Sequence, residues 1–148
     1  MIVAVSEFRI VPNGIHPLLL GMSREQIDRM MGEEPKNEGS RLQNEEAFRY
    51  EDAHARVVML DGRSVEVSVD PPARVLFEGK PLFGNSSVWR DLVKADGDAR
   101  EVLGFIVLPR LGLTLTGFHD GDSGQLAVTA FESGRWDRLE GEMKPFTL

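Results

Sequence analysis

The residues best suited to hold a cation are His119, Asp120 and Asp122, in the run His119-Asp120-Gly121-Asp122-Ser123-Gly124. Carboxylates at i and i+2 are how a loop presents hard oxygen ligands to a divalent ion. A calcium loop counted from Asp120 would need a closing glutamate where Phe131 stands; Glu132 comes one residue late. The same run also has the Asp and Gly content of a hairpin turn between strands, and that reading is preferred. No cofactor is expected. A metal- or small-molecule-binding module using His119, Asp120 and Asp122 is the alternative reading of function. His16 and His54 show no metal-ligand spacing to each other or to His119. Ser123 lacks the Gly-x-Ser-x-Gly elbow of a nucleophile. In Gly21-Met22-Ser23 and Gly84-Asn85-Ser86 the serines read as helix caps, whose hydroxyls are spent on backbone N–H groups. The acidic pairs Glu33-Glu34, Glu45-Glu46 and Glu51-Asp52 lie in polar stretches, and a solvated carboxylate makes a poor general acid. No catalytic residue is assigned, and the chain is not expected to be an enzyme.

The acidic stretch points instead to binding. Residues 33–46 hold Glu33, Glu34, Glu38, Glu45 and Glu46 against Lys36 and Arg41. Such a field accelerates encounter with a basic partner and favours it over others. The expected partner-binding residues are Glu33, Glu34, Glu45, Glu46 and Trp136. Trp136 follows the last apolar run in ESGRWDRLE, and Trp and Arg are frequent interface anchors.

The elements that must carry these residues follow from local pattern. Residues 2–11 are rich in β-branched and aromatic types and predict an edge strand, one that could pair with another chain. Pro12-Asn13-Gly14 is a turn. Ser23 with Gln26 has capping-box spacing, and Gly32 with Pro35 ends the helix, so a helix is expected over about 23–31. Residues 33–46 read as a solvated loop. Strands follow around Phe48 and Tyr50, then Arg56 to Leu60, Ser64 to Val69 and Arg74 to Glu78. A second helix, capped at Ser86 or Ser87, buries Val88, Trp89, Leu92 and Val93 and stops at Asp96-Gly97-Asp98. Three more strands are expected at Val102 to Leu108, Leu111 to Phe118 and Gln125 to Glu132, before a polar tail that packs only in part.

Composition limits the function classes. With 148 residues and 41% hydrophobic content, the chain suits one domain with a sizeable core. There is no cysteine, which excludes disulfides, thiolate catalysis and Cys-ligated zinc. The net charge of −7 argues against nucleic acid as a partner, because phosphate recognition needs clustered Lys and Arg. No apolar run approaches the ~20 residues of a membrane span. The opening residues lack a basic leader, so the cytoplasm is the expected compartment.

The stretch GIHPLLLGMSREQIDRMMGEEP carries Ile15, Pro17, Leu18, Leu20, Gly21, Met22, Ser23, Glu25, Ile27, Met31, Gly32 and Pro35. It resembles the opening of small bacterial helix-plus-sheet proteins of the β-lactamase-inhibitor-like and BamE-like type. These include uncharacterised proteins presumed to be toxin-immunity proteins. FEGKPLFG (77–84) fits the second half of such proteins. The resemblance implies a scaffold that binds another protein by a sheet face or loops, specifically an immunity-type inhibitor of a bacterial toxin effector. The fold class expected is α+β. Two tandem units, 1–79 and 80–148, would each hold one short helix and three to four antiparallel strands around a shared core. Gly21 and Gly84 stand 63 positions apart.

Overall fold

Ser23 closes an extended segment and opens the first helix, α1 (Arg24–Met31). Its Oγ accepts from Gln26 N at 3.2 Å, and Gln26 Oε1 accepts from Ser23 N at 2.9 Å. This reciprocal pair satisfies donors that the first turn leaves without helical partners. Gly32 stops the helix in the left-handed region, at φ 67°, where glycine avoids the Cβ penalty. Ile27 and Met31, one turn apart, are buried. The second helix, α2 (Val88–Asp96), buries Val88, Trp89, Leu92 and Val93 as their spacing predicts. Ser87 holds its N-cap position without a side-chain capping bond.

The computed structural model describes residues 5–39, 43–84 and 87–148, so the cap expected at Ser86 lies outside the described residues. The strands, in chain order, begin with β1 (Glu7–Val11), β2 (Gly14–His16), β3 (Leu18–Leu19), β4 (Lys36–Gly39), β5 (Glu45–Tyr50), β6 (Ala55–Leu60) and β7 (Arg63–Val69). Next come β8 (Arg74–Phe77), β9 (Lys80–Pro81), β10 (Arg100–Val102), β11 (Phe105–Leu108), β12 (Leu113–Thr116), β13 (Ala127–Phe131) and β14 (Lys144–Pro145). They form a five-stranded sheet of order β3-β2-β1-β8-β9 and a nine-stranded sheet of order β14-β10-β11-β12-β13-β7-β6-β5-β4.

The fold class is α+β. Each helix is followed by a four-stranded antiparallel meander, β4 to β7 and β10 to β13, and the meanders join where β7 pairs with β13. The register sets Val67 against Ala130. The sheets do not divide at residue 79: β8 pairs with β9 and β7 pairs with β13 across that point. Both helices, the small sheet and one face of the large sheet bury a single apolar cluster, which includes Phe8, Ile15, Ile27, Leu92, Leu113 and Val128. Burial of this kind supplies the main driving force for the fold.

Several strand boundaries differ from expectation. β1 is not an edge: it lies between β2 and β8, and it pairs with β8 in parallel. Its buried Phe8 needs cover on the sheet face, which local pattern does not reveal. The solvated loop expected over 33–46 contains β4, an edge strand exposed at all four residues. With no buried face it shows no period-2 pattern to read. The single strand expected at Val102 to Leu108 is a hairpin that turns at Leu103-Gly104, with φ 52° and 84°. Those two left-handed positions match the twist of the flanking strands, but the leucine conceals them in an apolar run. The tail adds a 3-10 segment (Asp137–Glu142) and β14 on β10.

Ser64 is the polar point at which the α1 entry is fastened to the large sheet. It is fully buried. Its Oγ donates to Leu19 O at 2.7 Å and accepts from Met22 N at 2.9 Å. Its backbone N–H donates to Met22 O, and its carbonyl accepts from Gly21 N. Replacing the hydroxyl leaves the part-buried Met22 N–H and Leu19 carbonyl without that partner, at a cost of about 1–3 kcal/mol for each group. Ser64→Ala should therefore lower the unfolding free energy by about 2–4 kcal/mol in a urea titration. Ser23→Ala at the solvated cap should cost about 1 kcal/mol.

Candidate functional site

The four glutamates expected to form one binding field are split into two roles. The Glu33 carboxylate accepts from the backbone N–H groups of Asp52 and Ala53, each at 3.0 Å, and so pins the turn between β5 and β6. Glu45 sits at the opposite end of β5. Its side chain is 11% exposed and lies 3.7 Å from the Arg135 guanidinium, which also meets Glu66 at 2.9 Å. Five residues of strand separate the two ends of β5, roughly 17 Å at the usual rise. Glu38 is taken up by Arg56 at 2.8 Å. Only Glu34 and Glu46 of the expected set are exposed and without an ion-pair or hydrogen-bond partner among the described residues. Glu46 alternates with Phe48 and Tyr50 on the face of β5 that meets α1.

That α1–β5 contact is polar at its rim. Tyr50 donates its hydroxyl to Asp28 Oδ1 at 3.0 Å, and Asp28 is also held by Arg24 Nε at 2.9 Å. The Arg24 guanidinium lies 3.9 Å from the centre of the Phe48 ring. Burial of the phenol, reinforced by the Asp28 hydrogen bond and charge, raises the Tyr50 pKa far above its usual value. A catalytic phenol needs the opposite shift, so this tyrosine is a structural donor. On β13's side, the Arg63 hydrogen bond holds the Glu132 carboxyl below the usual carboxylate range. This pair fastens the start of β7 to the end of β13.

Trp136 is half-buried and belongs to a satellite cluster on the outer face of the large sheet. Its ring meets Phe105 edge-on at 5.2 Å and Phe131 at 6.2 Å. The neighbouring Arg135 brings it close to Glu45, but not to Glu33. A cleft of about 480 Å³ opens beside it, with Leu20, Arg110, Phe131 and Met143 among its walls.

His119, Asp120 and Asp122 do not converge. Asp120 Oδ1 accepts from Asp122 N at 3.1 Å, and Asp122 Oδ1 accepts from Gly124 N at 3.2 Å. These are turn-forming bonds of the kind Asp makes with backbone two residues on. Among the described residues no three His, Asp or Glu side chains gather as a metal-holding group. The loop turns tightly against Gly117, which sits at φ 82°. A Cβ there would lie 2.5 Å from Asp122 O and 2.7 Å from Leu126 N.

His119 turns away from the two aspartates. Its ring packs edge-on against Phe146 at 5.7 Å, and its Nδ1 is buried without a hydrogen-bond partner among the described residues. It lines a groove of about 660 Å³ with Trp89, Arg90, Phe118 and Phe146. Phe83 stacks on Phe118 at 5.9 Å and 9° behind this wall. The groove draws on α2, the segment after β12 and the chain's last residues. Sequence reasoning missed it because its aromatic residues come from distant stretches; the one local sign was the adjacent pair Phe118-His119.

Comparison with protein-family models, with curated proteins and with solved structures gave no match.

Tyr50 is the only tyrosine, so tyrosinate absorbance reports it alone. Its folded pKa lies above the unfolded value of about 10, so it stabilises the fold fully below that pH. The stabilisation is lost as pH rises above about 10. Absorbance should therefore develop only with unfolding, and Tyr50→Phe should flatten the alkaline fall in stability. Gly117→Ala should lower the melting temperature by several degrees, corresponding to roughly 1–3 kcal/mol of backbone strain plus the clash.

Proposed function

We propose that the chain is a non-enzymatic protein-binding module, an immunity-type inhibitor that holds a basic bacterial toxin domain in the cytoplasm. The observation that carries this reading is the exposed, unpaired state of Glu34, just past the end of α1, and of Glu46, toward the far end of β5, an acidic rim of separated charges in a chain of net charge −7. Glu25, exposed in the first turn of α1, adds a further carboxylate. Uncompensated surface carboxylates attract a cationic surface over about 8–10 Å at ordinary salt. The resemblance around Gly21-Met22-Ser23 supports the same class. The partner surface is narrower than the acidic stretch suggested, because Glu33 and Glu45 are engaged within the fold. Trp136 contributes less than an exposed anchor would, since its ring is partly enclosed. The metal version of the alternative has weaker support, because Asp120 and Asp122 each spend an oxygen on the turn.

The test is coexpression with the product of the adjacent reading frame, followed by affinity measurement at several salt concentrations. A complex that weakens with salt is expected. Charge reversal at Glu34 and Glu46 to Lys should weaken it by about tenfold or more, about 1.4 kcal/mol, without changing the melting temperature. Glu33→Gln should instead lower stability by about 1–3 kcal/mol, through its two backbone partners. No complex, or one indifferent to both salt and the charge reversals, would overturn the reading.

A further inference from the structure

We propose that the groove between α2 and the last residues binds a small organic anion with a flat apolar body, such as an aryl carboxylate. The site is separate from the acidic rim and does not rest on the protein-binding reading. Its walls are Trp89, Phe118 and Phe146, with Trp89 inclined to Phe118 and to Phe146 at 6.4 Å in each case. Rings in contact at that distance form one aromatic surface, against which a flat ring can lie by offset or edge contact. The volume, about 660 Å³, lies within the ~300–1,000 Å³ range of small-molecule sites.

One charged side chain gives the groove a sign. The Arg90 guanidinium lies 5.2 Å from the Trp89 ring centre and has no acidic partner among the described residues. His119 Nδ1 is buried in the wall with no hydrogen-bond partner among the described residues. Among the described residues no Asp or Glu side chain lines the groove, although acidic residues outnumber basic ones 24 to 17 in the chain. Asp120 and Asp122 are turned into their own loop, and Asp91, next to Arg90 in the chain, faces Lys80 at 4.0 Å. A carboxylate placed against Arg90 gains a charge-assisted, two-pronged hydrogen bond, while its ring covers the aromatic wall. A neutral ligand would forgo that bond.

The experiment uses the full chain and three naphthalene probes: naphthoate, neutral naphthalenemethanol and cationic naphthylmethylammonium. Calorimetry measures affinity, and heteronuclear NMR follows the indole N–H signals of Trp89 and Trp136, the two tryptophans. Naphthoate should saturate a single site and shift Trp89 while Trp136 stays in place. The neutral probe should bind about tenfold more weakly, and the cation more weakly still. Arg90→Gln, at an exposed position of α2, should weaken naphthoate by about tenfold and leave the melting curve unchanged. The proposal is overturned by any of three results: no saturation at millimolar naphthoate, equal affinity for the acid and neutral probes, or a response at Trp136 in place of Trp89.

Discussion

The pairing of β7 with β13 is the contact on which the other packing depends. Each meander alone is a four-stranded sheet with two open edges. Joined along Val128↔Val69 to Phe131↔Glu66, they become one surface broad enough to carry both helices and the small sheet. The end of this seam is reinforced by ionic and polar contacts. Glu132 N donates to Val65 O, Arg63 pairs with Glu132, and Ser68 meets Thr129 at 2.7 Å. The same strand holds the α1 entry through Ser64. The seam therefore couples the core, the second meander and the helix that borders the acidic rim.

The acidic residues show how tertiary structure divides a composition signal. Five glutamates close together in sequence act as one feature only if the chain keeps them together in space. The hairpin of β5 and β6 places Glu33 at one end and Glu45 at the other, and each meets a different demand. Glu33 satisfies two backbone donors at a turn, and Glu45 answers Arg135 from the tail. A partly buried carboxylate must find such partners or stay in water. What remains for a partner is the subset that no internal donor claims. A field of two or three exposed charges suits steering and selectivity more than raw affinity.

The groove beside α2 followed a different route. Trp89 read as core from helical spacing, and it is buried, yet it also forms one wall of an open cavity. Phe118 and Phe146 lie on opposite sides of β13 in the chain and share one groove because each ring meets Trp89 of α2 at 6.4 Å. His119 belonged to a run that looked like a cation loop. The fold turned its ring toward aromatic neighbours and left the aspartates to form the turn. Residue types alone gave the wrong grouping here, because Asp at i and i+2 serves a turn as readily as a metal.

Determined by sequence alone were the features governed within one or two turns of chain. These were both helices, the capping box at Ser23 and Gln26, the stops at Gly32 and Gly97, the alternating β7, and the mixed α and β composition. Each rests on interactions between residues about four positions apart or fewer, so no distant partner is needed to read them. Tertiary structure alone decided that β1 is internal and parallel to β8, that Lys36–Gly39 is an edge strand, and that Leu103-Gly104 is a turn. It also decided which glutamates stay exposed and where His119 points. Those outcomes depend on which strands become neighbours and which buried groups need partners, and for β1 the partner strand stands 67 positions away, Glu7 against Arg74.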